Sequence, residues 1–323
     1  MRAVVFGCTG QDGSLLCRSL VRQGYEVIGV SRSRSSAPDL HRHLGISESL
    51  CYFSADLCDF RSVLKLLTQH KPSEIYHLSA QSSVGLSFRE PAKTCQSIID
   101  STINLLEVVR YLGDPIRIFF AGSSEIFQSS PLPLTIGSPF QPMSPYAIAK
   151  AAAFHLVKLY RDVYSLRCVT GVLFNHESPY RSSEFVTHKI INGALQCADD
   201  PDFRLQLGNL EVARDWGWAE EFVEAMQLLL RAETLCDQLI CTGRMASLHY
   251  FVEQVFTRVG LDWKNHVQLQ PSLHRPTDIP ESVGDPEPMA YHTGWRASKD
   301  VDLVIDALLQ AARNSVQLRS STT

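Results

Sequence analysis

The chain has 323 residues, 45% of them hydrophobic and 20% charged, with a formal net charge of −4. That is the composition of an ordinary soluble globular protein, and the charge gives no electrostatic basis for binding nucleic acid or an anionic membrane. No apolar run reaches the roughly 20 residues of a membrane span, the first strand pattern begins too early for a leader, and nine scattered cysteines without metal-ligand spacing fit a reducing cytoplasm and argue against a bound metal.

The chain opens on an apolar run, Ala3 to Phe6, that leads into Gly7, Gly10 and Gly13. A periodic segment with Leu15, Leu16, Leu20 and Val21 follows, then Gly24 and a second strand-like run over 26–30. Strand, glycine loop, helix and strand in that order form the context of a dinucleotide fingerprint, in which glycines let backbone amides reach a pyrophosphate at the helix N-terminus. Thr9, Gln11 and Asp12 complete this candidate cofactor loop. The second strand ends in Ser31-Arg32-Ser33-Arg34-Ser35-Ser36, with two guanidinium groups and no acid, which favours the 2′-phosphate of NADP over NAD.

Strand and helix patterns then alternate: 50–53 and 59–70, 74–78 and 91–112, 116–120 and 143–164, and finally 167–173. This rhythm predicts an α/β fold, a Rossmann-type doubly wound parallel sheet. Asp56 and Leu57 fall where an adenine contact is expected; Leu78 and Ala80 would line the dinucleotide crevice. Ser82 and Ser83 follow as candidate cofactor and substrate contacts.

The run 116–120 delivers Ser123 and Glu125 to the carboxyl end of a strand, where ligands bind in open α/β sheets. Some twenty residues on, Tyr146 and Lys150 stand four apart on one helical face. A free tyrosine titrates near ~10, and a neighbouring cation is expected to lower that value and make the phenol a usable proton acceptor. A hydroxyl, a carboxylate and a Tyr/Lys pair would meet at one site.

After Leu173 the chain becomes rich in Pro, His, Asn, Arg and Gly, apart from a return to regular pattern at about 218–241. The expected organisation is a cofactor domain of 1–173 plus about 214–241. A smaller, discontinuous substrate-binding lobe would take 174–213 plus about 242–315. The polar tail, 316–323, is expected to fray.

The glycine spacing and the Tyr/Lys pair resemble those of the extended short-chain dehydrogenase/reductases. Within them the chain is most similar to the GDP-mannose 4,6-dehydratase family. The likeness is carried by Thr9-Gly10-Gln11-Asp12-Gly13-Ser14, Ser144-Pro145-Tyr146-Ala147, Phe174-Asn175-His176-Glu177-Ser178-Pro179, Phe185-Val186-Thr187 with Lys189-Ile190, Gly208-Asn209-Leu210, Arg214-Asp215-Trp216-Gly217 and Arg275-Pro276. The resemblance implies a lyase acting on a nucleotide sugar, GDP-mannose first, with tightly held NADP. Tyr146, helped by Lys150 and Ser123, would take the proton from the hydroxyl on carbon 4 of the hexose, and Glu125 the proton on carbon 5 as water leaves from carbon 6. It also implies substrate contacts at Asn175, Val186, Lys189, Arg214 and Arg275 and cofactor-side roles for His176 and Arg181. A homodimer or homotetramer is expected, with the 31–42 loop as a possible contact. Trp216 and Trp218 are read as core.

The chain departs from the family at several points. Ser123 stands for the usual threonine, Phe127-Gln128 for Tyr-Gly and Met143 for an arginine, and the segment from Gly260 to Arg275 is short. The exact sugar and base stay open on these grounds, as do a 4-keto sugar-nucleotide reductase and a non-catalytic NADP-binding protein of the same fold.

Overall fold

The computed structural model describes residues 1–32 and 39–320, with side chains to residue 314. Arg34 lies outside the described residues, as do 321–323. The strands are β1 (Arg2–Phe6), β2 (Glu26–Ser31), β3 (Leu50–Ser54), β4 (Glu74–His77), β5 (Arg117–Ser123), β6 (Cys168–Leu173), β7 (Asn175–Glu177), β8 (Leu205–Leu207), β9 (Ala213–Trp218), β10 (Gln238–Ile240), β11 (Met245–Ser247), β12 (Val267–Leu269) and β13 (Glu281–Ser282). The helices are α1 (Gln11–Arg22), α2 (Asp39–His43), α3 (Phe60–His70), α4 (Val84–Arg89), α5 (Pro91–Cys95), α6 (Ser101–Leu112), α7 (Pro145–Tyr164), α8 (Val186–Asp199), α9 (Ala219–Arg231), α10 (Leu248–Arg258), α11 (Glu287–Thr293) and α12 (Val301–Ser320).

The main sheet has the order β10-β6-β5-β4-β1-β2-β3, and every pairing in it is parallel. The order turns back between β1 and β4, the switch point where a ligand crevice opens. Parallel strands covered on both faces need apolar residues on both sides, and the alternation in β1 shows it. Ala3 and Val5 join one core cluster with Leu15 and Leu16 of α1 and Phe222 and Met226 of α9; Val4 and Phe6 join the other with Leu66 of α3, Leu105 of α6 and Val157 of α7.

The segment expected at about 214–241 divides at Trp218. Before it, β9 pairs with β7, β11 and β13 in a second sheet; after it, α9 and β10 return to the main sheet. A two-stranded parallel sheet of β8 and β12 completes the second lobe, whose core packs α8, α10 and α12 around Trp216 and Trp218. The stretch 91–112, one pattern in the sequence, is broken by a π-helical turn at Gln96–Asp100 between α5 and α6. Of the tail expected over 316–323, the described part continues the backbone of α12 to Ser320.

Candidate active site

The glycine loop leaves β1 and enters α1 without a side-chain cap, so the first amides of the helix lack intrahelical acceptors. Its three glycines do different work. Gly7 has a φ of +83°, and a Cβ there would lie 2.7 Å from the Ser79 amide nitrogen and 2.8 Å from the Leu78 carbonyl oxygen. On Gly13 a Cβ would lie 2.0 Å from the Gly7 carbonyl oxygen. At Gly10, exposed with Thr9, the nearest such contact is 3.6 Å. An open, uncapped helix N-terminus at the sheet's switch point is a cradle a Cβ would fill, and it fits a dinucleotide pyrophosphate.

Gln11 and Asp12 are engaged with the 176–178 segment. The Gln11 amide donates to the His176 carbonyl (3.4 Å) and its Oε1 accepts from Ser178 Oγ (2.7 Å); Asp12 Oδ2 lies 3.0 Å from His176 Nε2. The other ring nitrogen of His176 lies 2.7 Å from the Phe174 carbonyl oxygen. An acceptor faces each nitrogen, an arrangement that favours the protonated ring. Burial opposes that charge, but Asp12 outweighs it and raises the histidine above its ordinary value. Asp12 is held below the usual carboxylate range, with the imidazolium overcoming its burial. Arg181 closes the corner: its Nη1 donates to the His176 carbonyl and to Glu177 Oε1 (2.9 Å), and its guanidinium lies 4.0 Å above the Phe185 ring. His176 and Arg181 therefore sit beside the glycine loop, where they pin the 174–181 connector to α1.

Around the crevice, Leu78 lies against Gly7, Ala80 is half-buried and Ser82 is exposed. Arg32 is exposed just past β2. Asp56 folds its carboxylate back on the Cys58 amide (3.0 Å), and the buried Leu57 accepts at its carbonyl from Asn104 (2.5 Å). The Ser83 hydroxyl is engaged as the N-cap of α4, accepting from the Leu86 amide at 3.2 Å.

β5 and α7 bring Ser123, Glu125, Tyr146 and Lys150 together. Ser144 caps α7 through the Ala147 amide (3.0 Å) and Pro145 occupies its first turn, which fixes where Tyr146 begins. The Ser123 hydroxyl accepts from the Glu125 amide (3.3 Å) and stands beside the buried phenol of Tyr146. Lys150 Nζ donates to the Ala121 carbonyl at 2.8 Å and lies 5.8 Å from the centre of the Tyr146 ring. This corrects the expectation that the lysine lowers the phenol. Burial pushes Tyr146 up to about 12, against the pull of the Ser123 hydroxyl, and pushes Lys150 down to about 8. Glu125 is raised by burial, opposed by the charges of Arg214 and Arg275.

Arg214 is buried at the start of β9; Arg275 is on the exposed rim. Both lie against Asp278, which the sequence reading passed over although an acid three residues after Arg275 was its signal. Asn175 and Lys189 are half-buried on β7 and α8, and Val186 opens α8 against the second lobe's core. Asp215, also unassigned from sequence, accepts from Thr242 N (2.9 Å), Thr242 Oγ1 (2.7 Å), Gly243 N (2.9 Å) and Gly284 N (3.4 Å), stitching β9 to the segments after β10 and β13. Phe127, where the family has a tyrosine, is fully buried edge-on against Phe140, their ring centres 5.2 Å apart.

A parallel sheet of this order, an uncapped glycine loop and a Ser/Tyr/Lys constellation beyond β5 define an extended short-chain dehydrogenase/reductase. The family model described as GDP-mannose 4,6 dehydratase matches residues 4–308. The chain is 38% identical to GDP-mannose 4,6 dehydratase 1 of Arabidopsis thaliana, over 96% of this chain and 90% of that protein. With GDP-mannose 4,6-dehydratase of Vibrio cholerae it shares 32% identity over 98% and 96% of the two chains. In fold it matches dTDP-glucose 4,6-dehydratase from Bacillus anthracis, solved in complex with NAD, with a TM-score of 0.85, 18% identity and 97% of each chain covered. The chain belongs to the GDP-mannose 4,6-dehydratase family.

Proposed function

We propose that this protein is a nucleotide-sugar 4,6-dehydratase that converts GDP-D-mannose to GDP-4-keto-6-deoxy-D-mannose. The observation that carries the reading is the meeting of Glu125 with Ser123, Tyr146 and Lys150 beyond β5. A carboxylate beside the tyrosine supplies the second acid/base that loss of water requires and simple oxidation of an alcohol does not. Bound NADP supplies a reversible hydride acceptor, so the conversion has no net redox change.

In this reading Tyr146 takes the proton of the carbon-4 hydroxyl as a phenolate, a form that the positive charge of a bound oxidised nicotinamide and of Lys150, anchored on Ala121, would favour, with Ser123 aligning that hydroxyl. The ketone at carbon 4 acidifies carbon 5. Glu125 takes the carbon-5 proton and returns it to the hydroxyl leaving carbon 6, so one water is lost. Burial raises this carboxylate above its ordinary value against the pull of Arg214 and Arg275, the direction that suits a group that must donate as well as accept. Arg214, Arg275 and Lys189 would hold the diphosphate by charge-assisted bonds; Asn175 and Val186 would flank the sugar nucleotide.

NADP is favoured over NAD by Arg32 at the end of β2, where no acid stands to meet a ribose hydroxyl. The nine cysteines are unpaired, which supports a reducing compartment such as the cytoplasm. Among the described residues no helix is long and apolar enough to cross a membrane. A homo-oligomer is supported by Ile148, Leu159 and Val163, which stand exposed along α7, and by Ile103 and Tyr111 on the neighbouring α6.

The test is incubation with GDP-mannose and catalytic NADP, without added reductant, followed by mass spectrometry. Loss of one water with no change in reduced cofactor supports the reading. Turnover that requires stoichiometric NADPH and a 4-keto sugar nucleotide would replace it with a reductase.

A further inference from the structure

We propose that Asp278 is a positioning residue for the substrate-binding arginines, its one carboxylate oxygen holding Arg214 and Arg275 together opposite Glu125. The inference rests on the reading of those arginines as ligands of a nucleoside diphosphate.

Three distant segments converge here. Arg214 comes from β9, Arg275 and Asp278 from the segment before β13, and Glu125 from the turn after β5. Oδ1 of Asp278 accepts from Arg214 Nη2 at 2.7 Å and lies 3.5 Å from Arg275 Nη1, while the Ile279 amide donates to the same oxygen at 3.0 Å. Arg214 has further anchors: its Nη1 donates to the carbonyls of Ile279 (2.6 Å) and Ala213 (3.0 Å). Arg275, on the rim, is tied in through Asp278. Losing the carboxylate would therefore free Arg275 more than Arg214.

The turn that carries Asp278 is itself fixed. Thr277 Oγ1 donates to the Met143 carbonyl at 2.6 Å, just before α7, and Glu281 pairs with Ala213 next to Arg214. The anchor thus links the arginines to the helix that bears Tyr146. Its chemistry suits a holding role. Engaging both guanidiniums through one oxygen leaves Arg275 most of its N–H donors for a ligand, and Arg214 those not given to Asp278 and the backbone carbonyls. Two cations facing two carboxylates leave the ligand-free cluster near neutral, and an arriving diphosphate competes with the carboxylates for guanidinium donors. Glu125 feels the same three groups: burial raises it, both arginines act against that rise and Asp278 adds to it.

The experiment is a double-mutant cycle read by calorimetric binding of GDP and by steady-state turnover of GDP-mannose, on wild type, Asp278→Ala, Arg275→Ala, the double variant and Asp278→Glu. Each single alanine is expected to weaken GDP binding and raise KM roughly tenfold, the size of one charge-assisted hydrogen bond, with kcat within about twofold. The double variant is expected to lose no more than about the same tenfold, since the two residues act as one unit. Asp278→Glu should recover most of the loss. A merely structural role would lower Tm and leave the two losses multiplicative.

Additive free energies, near-wild-type GDP binding by Asp278→Ala, or a fall in kcat at unchanged KM would each overturn the proposal. If Asp278→Ala fails to fold, Asp278→Asn keeps the acceptor, removes the charge and should still raise KM about threefold; no change there overturns it equally. Wild type that binds GDP without dehydrating GDP-mannose would sink the functional reading and leave the cycle readable. Wild type that binds no GDP would sink both.

Discussion

Alanine at Gly10 and at Gly13 should separate two jobs that the glycine loop combines. A Cβ on Gly13 would stand 2.0 Å from the Gly7 carbonyl oxygen and 2.8 Å from Cys8 Cα. Both are backbone atoms, so no side chain can yield, and α1 would have to back away by about an ångström from a face that buries Leu15, Leu16 and Leu20. Overpacking of that kind costs roughly 3 kcal/mol, less the ~1 kcal/mol that alanine gains over glycine in a helix. The net of about 2 kcal/mol should lower the Tm of the ligand-free protein by roughly 4 °C. Gly10 has an ordinary φ of −77°, and its Cβ would meet nothing nearer than 3.6 Å. Gly10→Ala should therefore melt within about 1 °C of wild type when ligand-free, since surface changes away from packing are near neutral. The new methyl, however, covers the open amides of α1. At a hundredfold excess over Kd a bound ligand stabilises a protein by about 2.7 kcal/mol, and Gly10→Ala should lose that NADP-dependent rise. The assay is thermal unfolding of both variants with and without NADP. A Gly10→Ala protein that keeps the NADP-induced rise, or a ligand-free Gly13→Ala protein that melts like wild type, would refute the assignment.

Three further outcomes are expected. Glu125→Gln should cut the rate of dehydration by about 10²–10⁴-fold, the scale of a positioned acid/base, while GDP affinity measured by calorimetry stays within a few fold; a similar fall in affinity would make Glu125 a binding group. Asp215→Ala strands three amides and a hydroxyl in the junction between the sheets and should cost about 3–5 kcal/mol in denaturant unfolding, with kcat of the folded fraction little changed; a cost below ~1 kcal/mol would count against it. The His176–Asp12 pair gives a pH test. A histidine raised in the folded state adds stability that is complete below about pH 6.5 and is lost as pH rises through the folded value, while the depressed Asp12 loses its contribution only as pH falls below about 4. Unfolding midpoints should decline above pH 6.5 in wild type, and His176→Gln should flatten the decline; equal slopes would dismiss the pair as a titrating element.

The parallel sheet was legible because its strands are short apolar runs bounded by turn residues, and every strand expected from 3–7 to 167–173 is present in it. Pairing across lobes was not legible. β9 is no plain apolar run: it carries Arg214 and Asp215 among its buried residues, and it pairs with β7, β11 and β13, short strands whose own patterns do not announce a sheet. The Asp215 carboxylate ties it to the segments after β10 and β13. Local pattern also hides competition for a side chain. Ser83 reads as a free hydroxyl in a crevice, but at a helix start the backbone amide claims it first. Gln11 and Asp12 belong to the glycine loop by position, but their reach to Ser178 and His176, more than 160 residues away, is set by the fold alone.

The Tyr146–Lys150 pair is where spacing stops predicting chemistry. Four residues on a helix guarantee a shared face, and through-space attraction between phenolate and ammonium would favour both charged forms. Burial acts on each group separately and in the opposite sense, favouring the neutral phenol and the neutral amine. In the folded protein burial wins on both sides: Tyr146 is held at about 12 and Lys150 at about 8. The lysine's bond to the Ala121 carbonyl holds its ammonium 5.8 Å from the centre of the phenol ring. A tyrosine this weakly acidic does not wait as a phenolate. To accept a proton it must first release its own, and in a desolvated site each positive charge that a ligand brings favours that release strongly.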